Sequence, residues 1–190
     1  LGEVPGRLTT EGIVAVARLT ARELRERFGV ARPRIAVLGL NPHAGDEGLI
    51  GKEEEQIIRP AIIEARKHDM LVFGPYSADA FFARGNHERF DGVLAMYHDQ
   101  ALIPFKSLAK GEGVNYTAGL PGVRTSPDHG TAMDIAGKNK ADEASFREAI
   151  FLCLDVIAKK HGWAEAHRNP LRKVAAQVVG RMEDEKLAEE

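Results

Sequence analysis

Two histidines stand in short loops suited to presenting a side chain: His43 in Gly39-Leu40-Asn41-Pro42-His43-Ala44-Gly45 and His98 in Met96-Tyr97-His98-Asp99-Gln100. Each follows an apolar run that reads as a buried strand, and in an open α/β sheet ligands gather where loops leave the carboxyl ends of the strands. Two imidazoles delivered there are placed to share one metal ion or one substrate. Neutral imidazole is a good ligand for Zn²⁺, Co²⁺ and similar ions, and neighbouring carboxylates such as Asp46 and Asp99 can fix its tautomer or bind the metal. The two are far apart in the chain, so no local ligand spacing supports them. On the residues alone, each is equally well a loop histidine satisfied by backbone hydrogen bonds.

Three further side chains have the chemistry to grip an anion. Lys106 follows the apolar stretch Ile103-Pro104-Phe105, a setting that holds an ammonium at the edge of a pocket, although a solvated surface lysine is the plainer reading. Asn115 lies on a weak strand candidate and Arg124 ends Gly119-Leu120-Pro121-Gly122-Val123-Arg124. Converging on one loop cluster, they would bind a phosphate or carboxylate, because guanidinium offers paired donors. The segment from Pro127 to Lys138 places glycines and a hydroxyl at a helix start, which makes His129, Gly130 and Thr131 candidates to approach a nucleotide. An ordinary turn capped by Thr131 is the alternative. No Gly-x-Gly-x-x-Gly follows a strand and there is no phosphate-loop lysine motif, so a dinucleotide would bind outside the Rossmann manner. His68, His87, His161 and His167 read as helix-end or loop histidines.

The elements that must carry these residues follow from periodicity. Over 9–28, Ile13, Val16, Ala17, Leu24 and Phe28 recur at helical spacing, with Thr9 or Thr10 to cap the start and Gly29 to end it. Residues 34–40 read as a strand stopped by Asn41-Pro42, and 53–68 as a helix with acidic residues in its first turn, where they suit the helix dipole. A strand over 70–73, a short helix over 78–82 and a strand over 92–97 continue the alternation. Such a rhythm predicts an α/β protein with a parallel sheet covered by helices on both faces. Residues 111–128 are rich in glycine and proline, hold one weak strand candidate at 114–117, and place a domain boundary near 119–122. A strong amphipathic helix is predicted over 145–161 and a last one over 171–182, before a charged tail.

Bulk composition excludes several classes. With 26 basic against 28 acidic side chains, 44% hydrophobic residues and 6% aromatics, nothing argues for nucleic acid, a membrane surface or disorder. The single cysteine, Cys153, falls in an apolar helical run and reads as a small core residue, which suits a reducing cytoplasm. No leader or apolar stretch long enough to span a membrane is recognisable. The chain opens on Leu1 in mid-phrase, and the expectation is a fragment.

Four blocks carry a resemblance: GLNPHAGDEG (39–48), VLAMYHDQALIPFK (93–106), GVNYTAGLPGVRTSPDHGTAMDIAGK (113–138) and KADEASFREAI (140–150). Through them the chain resembles the carboxyl-terminal portion of the 4-hydroxythreonine-4-phosphate dehydrogenase family of pyridoxal phosphate (vitamin B6) biosynthesis. The third block is also similar to the His-Gly-Ser-Ala segment of isocitrate and isopropylmalate dehydrogenases. The resemblance implies the α/β/α sandwich of those enzymes in two domains, truncated at the amino terminus. Residues 1–120 would be the central substrate, metal and dimerisation domain, and 121–190 the returning part of the nucleotide-binding domain, incomplete and with apolar surface exposed. It implies His43 and His98 as two of three metal-binding histidines shared across a homodimer, with the third upstream of Leu1. Lys106, Asn115 and Arg124 would contact the substrate, Lys106 also moving a proton or steadying an oxyanion, and His129, Gly130 and Thr131 would contact NAD or NADP. The divalent metal would be Zn, Mg or Co. The implied reaction is oxidation of 4-phosphooxy-L-threonine with decarboxylation to 3-amino-2-oxopropyl phosphate, with the fragment alone inactive. Competing readings are a 4-phospho-D-threonate or D-erythronate dehydrogenase of the same superfamily, a metal-dependent hydrolase built on His43, His98 and Asp99, and a noncatalytic dimerisation module.

Overall fold

Strict alternation along one strand decides the architecture. Strand β1 (Arg34–Leu38) buries Ile35, Ala36, Val37 and Leu38 completely. Ile35 and Val37 belong to one apolar cluster, Ala36 and Leu38 to another, as the two-residue period of a strand covered on both faces requires. The computed structural model describes residues 1–128, 130 and 132–171.

Ahead of β1 lie a short helix α1 (Val4–Arg7) and the long helix α2 (Thr10–Arg27). Thr9 caps α2 by accepting the Gly12 N–H at 3.0 Å, and Ile13, Val14, Ala17 and Ala21 form its buried stripe. Val16, expected on that stripe, is half exposed at 49% because Val14 takes the inward position. Residues 54–67 are helical as expected, but the first turn, Glu54–Ile58, is a π-helix that continues into α3 (Arg59–Lys67). Strand β2 (Leu71–Tyr76), helix α4 (Ala78–Ala83) and strand β3 (Gly92–Leu94) follow.

The three strands form a parallel sheet in the order β2-β1-β3. On one face α2 and α3 pack Ile13, Ala17, Ile58 and Ile62 against Ile35, Val37 and Val72. On the other, Phe81 of α4 is buried with Tyr76, Phe82 and Phe90 over Ala36 and Leu38. The expected parallel α/β arrangement with helices on both faces is therefore present.

Several expectations differ. The strand over 92–97 ends at Leu94, and His98 does not sit in a loop: it is the first residue of helix α5 (His98–Ala109). That helix escapes a sequence reading because Pro104 lies inside it and none of its residues is fully buried, so no clean apolar stripe marks it. Beyond it, β4 (Val114–Tyr116) pairs antiparallel with β5 (Thr125–Pro127), a strand of three residues that a glycine- and proline-rich context conceals. Helix α6 (Ala144–Ala166) forms where a helix is expected, yet Phe146, Ile150 and Leu154 are exposed while Ala149 and Val156 are buried. Cys153 on α6 is accordingly half-buried rather than core. The helix expected over 171–182 falls, beyond Leu171, outside the described residues, as do His129 and Thr131. Among the described residues no helix is long and apolar enough to cross a membrane.

Candidate active site

The His43 loop departs from β1 into a left-handed turn. His43, Ala44, Asp46 and Glu47 all have positive φ, between 46° and 54°, with Gly45 and Gly48 at 86° and 87°. For residues with a Cβ this conformation costs about 1–2 kcal/mol each, so surrounding contacts must over-determine it. They come from Glu54 and Asn41. Glu54 is 1% exposed. It accepts the Asn41 backbone N–H at 2.8 Å on Oε1 and the Asn41 side-chain amide at 2.9 Å on Oε2. Asn41 Nδ2 also donates to Glu53 at 2.7 Å, the main reason that the Glu53 carboxyl is held below the usual range. The turn leaves His43 exposed at the mouth of a cavity of about 530 Å³ lined also by Ser77, Asp79, Tyr97, Asp99 and Gln100. Asp79 is held below the ordinary carboxylate range, first by the Ser77 hydroxyl at 2.5 Å and then by the Ala80 amide, with a small contribution from His43.

The start of α5 carries the second histidine. Gln100 accepts the Met96 N–H at 2.8 Å and donates to the Gly39 carbonyl at 2.7 Å, tying this helix start to the end of β1. His98 Nδ1 lies 2.8 Å from Asp99 Oδ1, which fixes the ring and leaves Nε2 available as a ligand atom. The structure does not bring the two histidines of one copy into one cavity. His98 lines a second space of about 440 Å³ with Asp99, Lys106, Asp128 and Gly130, and a third of about 670 Å³ with His87, Asn115 and Asp128. Asp99 borders both His43's cavity and the first of His98's.

Residues distant in sequence thus converge on His98. Lys106, two helical turns on, reaches Asp128 at 3.5 Å. The Asp128 N–H donates to Ser145 Oγ at 3.0 Å, and that buried hydroxyl donates to the Gly113 carbonyl at 2.8 Å, so α6 fixes the hairpin under the site. Asn115 lines the larger of the two His98 cavities from β4, whereas Lys106 lines the smaller; Arg124 lies outside both linings and donates to Thr117 Oγ1 at 2.9 Å on the exposed side of the hairpin. The Lys106, Asn115 and Arg124 cluster expected from sequence is therefore divided between neighbouring cavities that share His98 and Asp128, with Arg124 apart.

A buried ion pair on α2 holds the hairpin in place. Arg27 Nε lies 3.2 Å from Glu23 Oε2, which also accepts the Tyr116 hydroxyl, and Arg27 donates to the Leu120 and Gly122 carbonyls at 2.6 and 3.0 Å. Burial, and after it the Glu23 carboxylate, push the Tyr116 phenol up to about 12.

Residues 1–153 match the family model described as pyridoxal phosphate biosynthetic protein PdxA. The chain belongs to the PdxA family. It is 54% identical to the 4-hydroxythreonine-4-phosphate dehydrogenase of Bacteroides thetaiotaomicron over 90% of this chain and 47% of that protein, and 50% identical to that of Bradyrhizobium diazoefficiens over 84% and 46%. The crystal structure of 4-hydroxythreonine-4-phosphate dehydrogenase from Klebsiella pneumoniae superposes with a TM-score of 0.72 at 44% identity, covering 82% of this chain and 47% of that one. A terephthalate 1,2-cis-dihydrodiol dehydrogenase from Burkholderia xenovorans LB400 shares the fold at a TM-score of 0.64 and 33% identity, over 82% of this chain and 49% of that one. The chain spans about half the length of the curated relatives it matches.

For this PdxA-family chain the donor chemistry suits a divalent metal, and the donor count does not within one copy. His43 and His98 are exposed imidazoles, yet among the described residues no three histidine, cysteine or carboxylate side chains are grouped to hold an ion. Sequence reading missed Glu54 and Asp79, and took His87, which lines a cavity with His98, for a loop histidine. Glu54 was legible: with Ile58, Ala61, Ile62 and Ala65 it repeats at helical spacing on the apolar stripe, where a carboxylate needs a partner. Asp79 and His87 carried no comparable signal.

Proposed function

We propose that the protein oxidises 4-phosphooxy-L-threonine with NAD⁺ or NADP⁺ and decarboxylates the product to 3-amino-2-oxopropyl phosphate, in a reducing cytoplasm and as a homodimer with shared sites. The observation that carries this reading is the meeting of His98, Lys106, Asp128 and Gly130 at one cavity, beside Asn115, in a chain half identical to named dehydrogenases of that substrate. The same proposal assigns residues 1–120 to the substrate and metal domain and 121–190 to the nucleotide-binding domain, the division falling in the turn between β4 and β5.

Each residue has a task. Asn115 binds phosphate or carboxylate oxygens from the cavity lining, and Arg124, which lies outside that lining, would reach them through its paired donors on leaving Thr117; the main effect of both is positioning. Lys106 receives the hydroxyl proton or steadies the oxygen left behind, and Asp128 at 3.5 Å keeps its ammonium aimed at the cavity. Gly130, with His129 and Thr131, contacts the dinucleotide. His43 and His98, contributed by different copies, would hold a Zn, Mg or Co ion. Bound there, the metal would supply Lewis acidity toward the substrate hydroxyl, and the dinucleotide would supply a two-electron acceptor. The C3 carbon is oxidised to a ketone, one proton is released, and the β-keto acid loses CO₂.

The test joins this chain to the amino-terminal half of the Bacteroides relative and follows NADH absorbance. The joined protein should turn over 4-phosphooxy-L-threonine, the 190-residue chain alone should not, and Lys106→Ala should lower kcat by about 10²-fold or more. Faster turnover of 4-phospho-D-threonate or D-erythronate would move the substrate assignment. Hydrolysis without any NADH would remove the dehydrogenase reading altogether.

A further inference from the structure

Glu54 is an acidic residue in the first turn of a helix, where such residues ordinarily face water, and it is 1% exposed. Burying a carboxylate is expensive unless donors meet it. Both of its oxygens are met by Asn41, one through the backbone N–H and the other through the side-chain amide. Asn41 is two residues before His43. An apolar side chain would fill the same space without desolvating a charge, and it could not hold Asn41.

The glycines around the pair show how closely the loop is wrapped on it. A Cβ at Gly45 would lie 2.6 Å from Glu54 Oε2 and 2.9 Å from the Gly51 carbonyl, and one at Gly51 would run into the Asn41 side chain. At Gly39 it would lie 3.0 Å from Glu54 Oε1. Gly39 and Gly45 thus admit the Glu54 carboxylate into the hollow of the left-handed turn, and Gly51 makes room for the Asn41 amide that it holds. The turn closes on itself through Ala44 N–H to the Asn41 carbonyl and Ile50 N–H to the Gly45 carbonyl, both at 3.1 Å.

We propose that Glu54 is a positioning residue for His43: through Asn41 its carboxylate holds the turn that aims the imidazole into its cavity. The loop-holding role stands on geometry alone, and its consequence for metal binding rests on the reading of His43 as a ligand. The turn is a left-handed 3-10 run, a conformation that side-chain-bearing residues disfavour, and the carboxylate braces it from outside. Partners hydrogen-bonded directly to a metal-ligating histidine typically change metal affinity 10- to 100-fold when removed, and Glu54, one step further back, belongs at the lower end of that range.

The experiment uses the 190-residue chain, Co²⁺ as probe, and three variants. Glu54→Gln keeps the shape but turns a donor toward the Asn41 amide; Glu54→Asp keeps the charge but shortens the reach. His43→Ala is the control for the ligand reading. Two quantities are read: the Co²⁺ concentration that half-broadens the His43 Cε1–H resonance, and exchange of the Ala44 and Ile50 amides against that of core amides in β1. Glu54→Gln and Glu54→Asp should each raise the Co²⁺ midpoint about tenfold and speed loop exchange by a similar factor, with β1 protection unchanged. Wild-type loop exchange in both variants would overturn the proposal, as would an equal loss of protection in loop and core. If Co²⁺ leaves the wild-type His43 resonance sharp, the metal reading fails, and loop exchange still decides the positioning role. Should Glu54→Gln unfold outright, Glu54→Asp decides by the same exchange measurement.

Discussion

Removing the Glu23 carboxylate should detach the β4–β5 hairpin from α2. The side chains of Glu23 and Arg27 are only 6% and 11% exposed, their ion pair is 3.2 Å long, and the carboxylate also accepts the Tyr116 hydroxyl and the Gly119 N–H. Glu23→Ala strands a guanidinium that keeps two carbonyl partners and loses its counter-charge. Breaking one partner out of such a pair costs roughly 3–5 kcal/mol, and for a domain of this size that is a fall in Tm of roughly 6–20 °C. Glu23→Gln retains an acceptor and should cost less, about 1–3 kcal/mol. Replacing both members, Glu23→Leu with Arg27→Met, should recover most of the loss, because it removes the buried charges together. Urea denaturation followed by circular dichroism measures all three. A Glu23→Ala chain within about 1 kcal/mol of the parent, at unchanged slope, would refute the reasoning. Asn115 and Arg124 flank the clamped turn, so on the proposed function weakened substrate binding should accompany the loss of stability.

Two further outcomes follow from named contacts. Tyr116 has its pKa raised to about 12 in the folded chain against an ordinary 10, so the folded state holds the proton more tightly; its contribution is complete below about pH 10 and disappears as pH rises toward 12. The urea midpoint should therefore drop over that interval, and Tyr116→Phe should flatten the drop. Phe81, 1% exposed and ringed by Tyr76, Phe82 and Phe90, should cost roughly 3–5 kcal/mol on truncation to alanine, measured by the same denaturation; a loss under about 1 kcal/mol would mean that the second face of the sheet is not packed as described.

What was legible in the sequence was whatever repeats. The stripe Ile13, Ala17 and Leu24, the cap at Thr9 and the aliphatic run of β1 announce themselves, because packing against two neighbours demands a period. Helix α5 does not, since its faces are partly wet and Pro104 interrupts the pattern. Strand β5 is too short to alternate and exists through its pairing with β4 and the Thr125 hydroxyl donating to the Ala149 carbonyl at 2.8 Å. The candidate residues His43, His98, Lys106 and Asn115 were visible by type. Of their supports, Glu54 stands on an apolar stripe where its spacing gives it away, whereas Ser145 and the Glu23–Tyr116 contact carry no local signal, because the partners lie 32 and 93 positions away.

Gln100 has a mechanical consequence. With one end on the Met96 amide and the other on the Gly39 carbonyl, it welds the threshold of α5 to the tip of the central strand, two residues ahead of Asn41. A ligand that drags His98 inward must therefore tug on the backbone that feeds the His43 turn. The two imidazoles, though they open onto separate hollows, are not free to shift independently, and whatever seats one of them sets the stance of the other.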